Sequence, residues 1–143
     1  MMNKKLDLPL NTLILLALLG LPRVVAHDLR WIEPESLINT LLAIIPPIIW
    51  ILVVLSKSNR PFMPLLIIGM IYGLILGVTH QLLWTTVFDT PPTLGGNLKD
   101  IPPLVNSMVT RTFAFISSIT TGVVIGVIVA LIGTALNYFK TIR

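Results

Sequence analysis

The stretch from Pro61 to Trp84 reads PFMPLLIIGMIYGLILGVTHQLLW and contains no Asp, Glu, Lys or Arg. A helix needs roughly 20 mostly apolar residues to cross a hydrocarbon core about 30 Å thick. The apolar run is near-continuous and lacks the alternation of a membrane β-strand. A helix also satisfies its own backbone groups, which lipid cannot do. The segment therefore reads as a transmembrane helix, with expected limits 62–88.

Three further stretches share this character, at about 6–25, 36–55 and 113–139. The expected fold is an all-α membrane protein with four transmembrane helices, forming a single integral membrane domain over 1–143. The connectors are polar: His27–Glu35, Lys57–Pro61 and Asp89–Pro103. The last, DTPPTLGGNLKDIPP (89–103), carries two Pro-Pro pairs and Gly95–Gly96, and reads as a turn-rich external loop. Leu104–Thr112 reads either as an interfacial stretch or as an outward extension of the fourth helix.

Composition agrees with this reading. Of 143 residues, 55% are hydrophobic and 11% are charged, with a mean hydropathy of +0.92. A soluble domain carries about 25% charged residues. A soluble single domain, a disordered chain and a nucleic-acid-binding module are all excluded on that ground. The absence of cysteine removes disulfides, thiolate metal sites and cysteine nucleophiles.

The basic residues mark orientation. Lys4, Lys5, Lys57, Arg60, Lys140 and Arg143 fall on one side, and Arg23, Arg30, Lys99 and Arg111 on the other. Five of the six acids (Asp28, Glu33, Glu35, Asp89, Asp100) lie opposite the larger basic set. Both termini are expected in the cytoplasm and the protein in the cytoplasmic membrane. The first segment has a second reading. A basic start, an apolar run and Val24-Val25-Ala26 resemble a signal peptide whose cleavage would leave His27 as a copper-binding N-terminus.

Small residues recur every fourth position on two segments. Gly69, Gly73 and Gly77 form one stripe, and Ser118, Gly122, Gly126, Ala130 and Thr134 the other. Residues at i and i+4 share a helix face, and such faces let membrane helices approach closely. The expectation is an antiparallel hairpin of the third and fourth helices, with Gly77 against Gly122, Gly73 against Gly126 and Gly69 against Ala130. That register brings Gln81 to Ser118 and lets Arg111 pair with Asp89 at the outer surface. The same stripes are also suited to homo-oligomerisation.

Polar residues at membrane depth are the functional candidates. His80 and Gln81 continue the third helix's stripe. With Arg111, Ser118 and Thr121 they make a candidate polar cavity, whose plainer reading is interhelical hydrogen bonding. His27, Asp28 and His80 are weak candidates for a metal or haem site, since no ligand spacing supports them. Pro46-Pro47 removes two donors and frees the carbonyls of Leu42 and Ala43, which predicts a kink. Trp31, Trp84 and Tyr138 read as interface anchors, and Trp50 as a deeper residue.

No phosphate-binding loop, nucleophile elbow or HExxH motif is present. The expected function is a small non-enzymatic polytopic protein, an accessory or structural subunit of a membrane complex, with no cofactor. Its expected partners are lipid and either a second copy or other membrane subunits, with no nucleic acid. The alternatives are a small oligomeric transporter or channel with an outward-facing cavity at His80, and a metal- or haem-binding protein using His27 and His80.

Overall fold

The structure is a computed structural model, and it describes residues 7–142. Leu6, Lys4, Lys5 and Arg143, which entered the reading of the first helix and of orientation, lie outside the described residues. The described chain is all-helical: α1 (Leu10–Leu18), α2 (Leu21–Asp28), α3 (Leu37–Lys57), α4 (Phe62–Leu82), α5 (Trp84–Val87) and α6 (Pro103–Thr141). Four stretches are long and apolar enough to cross a membrane: Leu10–Asp28, Leu37–Lys57, Phe62–Leu82 and Pro103–Thr141.

The first span is broken where one helix over 6–25 was expected. The Leu19 and Gly20 amides donate to Leu16 and Ala17, a tightened three-residue pattern. Pro22 then lacks the N–H that would continue the ladder and stands in the first turn of α2. Gly20 fits here for lack of a side chain, since a Cβ would lie 2.4 Å from the Tyr72 ring. The break also exposes the Leu16 carbonyl, which accepts a 2.6 Å bond from Trp50 Nε1. Trp50, 1% exposed, is indeed deep, and its ring meets Tyr72 edge-on at 5.7 Å.

α2 ends in a Schellman turn: Arg30 N–H donates to His27 O and Trp31 N–H to Ala26 O. Arg30 occupies the left-handed position, φ 58°, where glycine is usual. Its guanidinium reaches across to Asp89 Oδ2 at 2.9 Å and to Val87 O at 3.1 Å. The expected Arg111–Asp89 pair is therefore replaced by Arg30–Asp89. Arg111 instead lies over the Trp84 ring, 5.0 Å from its centroid. Trp84 is 5% exposed rather than an exposed anchor, while Trp31 is 73% and Tyr138 65% exposed.

Ser36 caps α3, its side chain accepting from the Asn39 amide. The helical pattern runs on through Pro46 and Pro47 to Lys57. α4 stops at Leu82, short of the expected 88, and α5 follows after Leu83, whose amide still bonds Thr79 O. The turn at Leu83 lets Trp84 fold inward and stack on Phe88 at 4.8 Å.

α6 begins at Pro103, ten residues before the expected 113, so Leu104–Thr112 extends the fourth helix. Pro103 is at its first position, where a missing N–H costs nothing. The preceding loop is fixed to it by one side chain. Asn106 Oδ1 accepts from the Leu94 amide at 2.9 Å, and its Nδ2 donates to Pro92 O at 2.8 Å.

The most extensive contact between elements is α4 against α6. A Cβ at Gly69 would lie 2.3 Å from Gly126 Cα, and one at Gly122 would lie 2.3 Å from Gly73 Cα. Gly77 meets Phe115 and Ser118. The register is thus one turn away from the expected pairing of Gly77 with Gly122. Both registers match two glycine pairs. Larger side chains separate them: in the observed one Phe115 lies over Gly77, and Leu65 reaches the place a Gly133 Cβ would take.

Candidate functional site

The sequence leaves one acid, Asp28, at the end of an amphipathic turn of α2. The fold buries it: the residue is 1% exposed. The His80 ring, from the last turn of α4, places Nδ1 2.6 Å from Asp28 Oδ2. His27 Nδ1 makes a longer contact of 3.4 Å with Oδ1. A carboxylate only accepts, so in this arrangement His80 Nδ1–H donates, and Nε2 is left on the opposite edge of the ring. A buried carboxylate requires such a partner in an apolar bundle.

Beside this pair lies a cavity of about 230 Å³ between α2, α4 and α6. From α2 it takes Arg23, His27 and Asp28; from α4, His80; and from α6, Ser117, Ser118 and Thr121. Of the five residues expected to line a polar cavity, His80, Ser118 and Thr121 are brought together here. Gln81 and Arg111 are not. Gln81 Nε2 donates to the Arg111 carbonyl at 3.1 Å. The Ser118 and Thr121 hydroxyls are turned to their own helix, donating to Ala114 O and Ser117 O at 2.9 Å. The expected Gln81–Ser118 contact is thereby replaced.

Arg23 is the residue that sequence reasoning read only as an orientation mark. Its Nε–H donates to Asn39 Oδ1 at 3.1 Å, and Asn39 Nδ2 in turn donates to Pro34 O at 2.5 Å. Arg23 belongs to no ion pair among the described residues. The signal that could have marked it was its place inside an otherwise apolar span.

Two further cavities share walls with this one. Toward the connectors, a space of about 360 Å³ shares His27 and Asp28 and adds Arg30, Glu33 and Val87. In the other direction, a space of about 50 Å³ shares Arg23 and is lined by Pro46, Pro47, Trp50 and Tyr72. Leu42 and Ala43, whose carbonyls the two prolines leave without their helical donors, also line it. The three spaces thus follow α2 inward from its C-terminal end, with His27–Asp28 at one shared wall and Arg23 at the other.

His27, Asp28 and His80 come together, but as a hydrogen-bonded set in which the carboxylate oxygens are occupied by imidazole nitrogens. No group of three His, Cys, Asp or Glu side chains suited to a metal ion occurs among the described residues. No protein-family model matches the chain, and no curated protein or solved structure is significantly similar to it.

Proposed function

We propose that the protein is a small, non-enzymatic, multi-pass protein of the cytoplasmic membrane that holds a polar solute in the cavity between α2, α4 and α6, as a transporter or channel does. The observation that supports this reading is the placement of Arg23, Asp28 and His80 around a space inside an apolar bundle. Ionisable groups at such depth are costly unless they serve a pathway or a ligand. A helix stack held only by the glycine stripes on α4 and α6 needs none of them. In this reading both termini face the cytoplasm, and the cavity opens toward the side of the His27–Glu35 and 89–102 connectors.

Site-directed thiols test it, because the chain has no cysteine of its own. T121C at the cavity, V124C on an outward face (51% exposed) and A130C in the packed seam (0% exposed) are compared. With a small charged thiosulfonate in proteoliposomes, T121C reacts at least tenfold faster than either control. Equal rates for T121C and V124C would overturn a water-filled cavity.

A second reading, an accessory subunit, draws on the start of α6. Leu104 and Met108 are 73% and 63% exposed there, on the turns that run beyond the end of α4. Under this reading L104E and M108E release a co-purifying membrane subunit while leaving the T121C rate unchanged.

A further inference from the structure

We infer that the cavity takes a small oxyanion, a carboxylate or a phosphate group, gripped by Arg23; the inference rests on the cavity reading above and gives it a ligand class. Three observations carry it. First, the only acid in the cavity wall is withdrawn. The Asp28 side chain is 0% exposed and its two oxygens face the two imidazoles. A ligand entering the space meets no free negative charge.

Second, the cation in the wall is not neutralised. Arg23 is half-buried, uses Nε on Asn39, and has no acidic partner among the described residues. Its two terminal nitrogens form the fork that matches a carboxylate or phosphate in two parallel bonds. Asn39, itself held by the Pro34 carbonyl, orients the guanidinium through Nε, so part of the ordering cost of binding is already met.

Third, the imidazole keeps the carboxylate engaged and out of the ligand's way. His80 is fixed by its Nδ1 on Asp28, as histidines are oriented at functional sites by a carboxylate behind them. With the Asp28 carboxylate so engaged, Arg23 is the one Arg or Lys side chain in the cavity wall. One anion neutralises that guanidinium. The titratable and charged groups facing His80 are Asp28, His27 and Arg23, all from α2. α6 contributes only hydroxyl side chains to this cavity.

The chemistry does not distinguish a free anion from the headgroup of an anionic lipid. Ser117 and Thr121, in the cavity wall, are exposed, so both have access. The experiment uses full-length T121C in dodecyl maltoside, which carries no phosphate. Thiosulfonate modification is followed with added acetate, inorganic phosphate, methylammonium, glycerol or phosphatidylglycerol. The expected result is that acetate or phosphate slows modification, that R23Q weakens this protection tenfold or more, and that R23K retains most of it. Protection by phosphatidylglycerol but by neither free anion, with the same R23Q loss, supports the inference with lipid as the source.

Protection by methylammonium or glycerol equal to that by the anions overturns the oxyanion class and leaves the cavity reading standing. Reactivity at T121C with no protection by any probe also overturns it. Failure of T121C to react faster than V124C removes the cavity reading as well. The comparison of acetate with methylammonium on the chain that retains Arg23 decides the point even if R23Q does not fold.

Discussion

A methyl group added at Gly122 would lie 2.3 Å from Gly73 Cα and 2.5 Å from Gly69 O. All of these neighbours are backbone, so no side-chain rotation relieves the clash and the helices must part. Forcing extra volume into a packed seam costs about 1–3 kcal/mol. G122A is therefore expected to lower stability by that amount in a reversible unfolding assay in mixed micelles. G95A, with nothing within 4 Å of the added carbon, is expected to stay within about 0.5 kcal/mol of the unchanged protein. At this scale the sequence was legible in part. A spacing of four places Gly69, Gly73 and Gly77 on one face, but sliding a helix by one turn maps that face onto itself. The register is set by where Phe115 and Leu65 find room, which no spacing displays. In the sequence His80 and Asp28 group only as weak metal-ligand candidates. The burial of Asp28 and its bond to His80, 52 residues away in the chain, were not legible, because Asp28 flanks its helix in a way that looked solvated.

Elements were read well in type and less well in extent. Near-continuous apolar runs announce helices, whereas their ends depend on single side chains. Pro22 and Gly20 break the first span, and Asn106 extends the last by tying its first turns to the loop. That tie gives a prediction. N106A removes both the acceptor for the Leu94 amide and the donor to Pro92 O. The 89–102 loop is then expected to be cut by a protease several-fold faster, with little change in the unfolding transition of the bundle. A loop cut at the unchanged rate would show that the Asn106 bonds do not hold it. The double proline lies inside a helix that runs on through it, as the single second span requires. Leu42 and Ala43, which lose their helical donors to the two prolines, line a small internal space beside Arg23.

For the molecule as a whole, the near-continuous apolar runs sufficed to mark four stretches long and apolar enough to cross a membrane. They could not show that α2 carries Arg23 and Asp28 to the wall of a cavity, because that depends on which spans are neighbours. The arrangement of charged residues makes a topological prediction. In whole cells, N97C is expected to react with a membrane-impermeant maleimide, and N59C only after permeabilisation. Both positions are exposed, and the lack of native cysteine leaves no background. Labelling of N59C in intact cells would reverse the proposed orientation.

α4 has 21 residues and α6 has 39, so their lengths are about 31 Å and about 58 Å at 1.5 Å per residue. The first matches a hydrocarbon slab about 30 Å thick, and the second does not. Because Gly69 and Gly73 fasten the two helices together at mid-length, they cannot adjust to the slab independently. In a bilayer the first turns of α6, with Asn106, Ser107, Thr110 and Arg111, can project beyond the slab, while the part joined to α4 meets a change of thickness together with it. Under the membrane reading, mismatch then acts on the joined pair rather than on one helix, at fractions of a kcal/mol per Å. In that reading membrane thickness is a variable that acts on the Gly69–Gly126 crossing and, through Thr121 and Ser118 about one and two turns away, on the wall of the cavity.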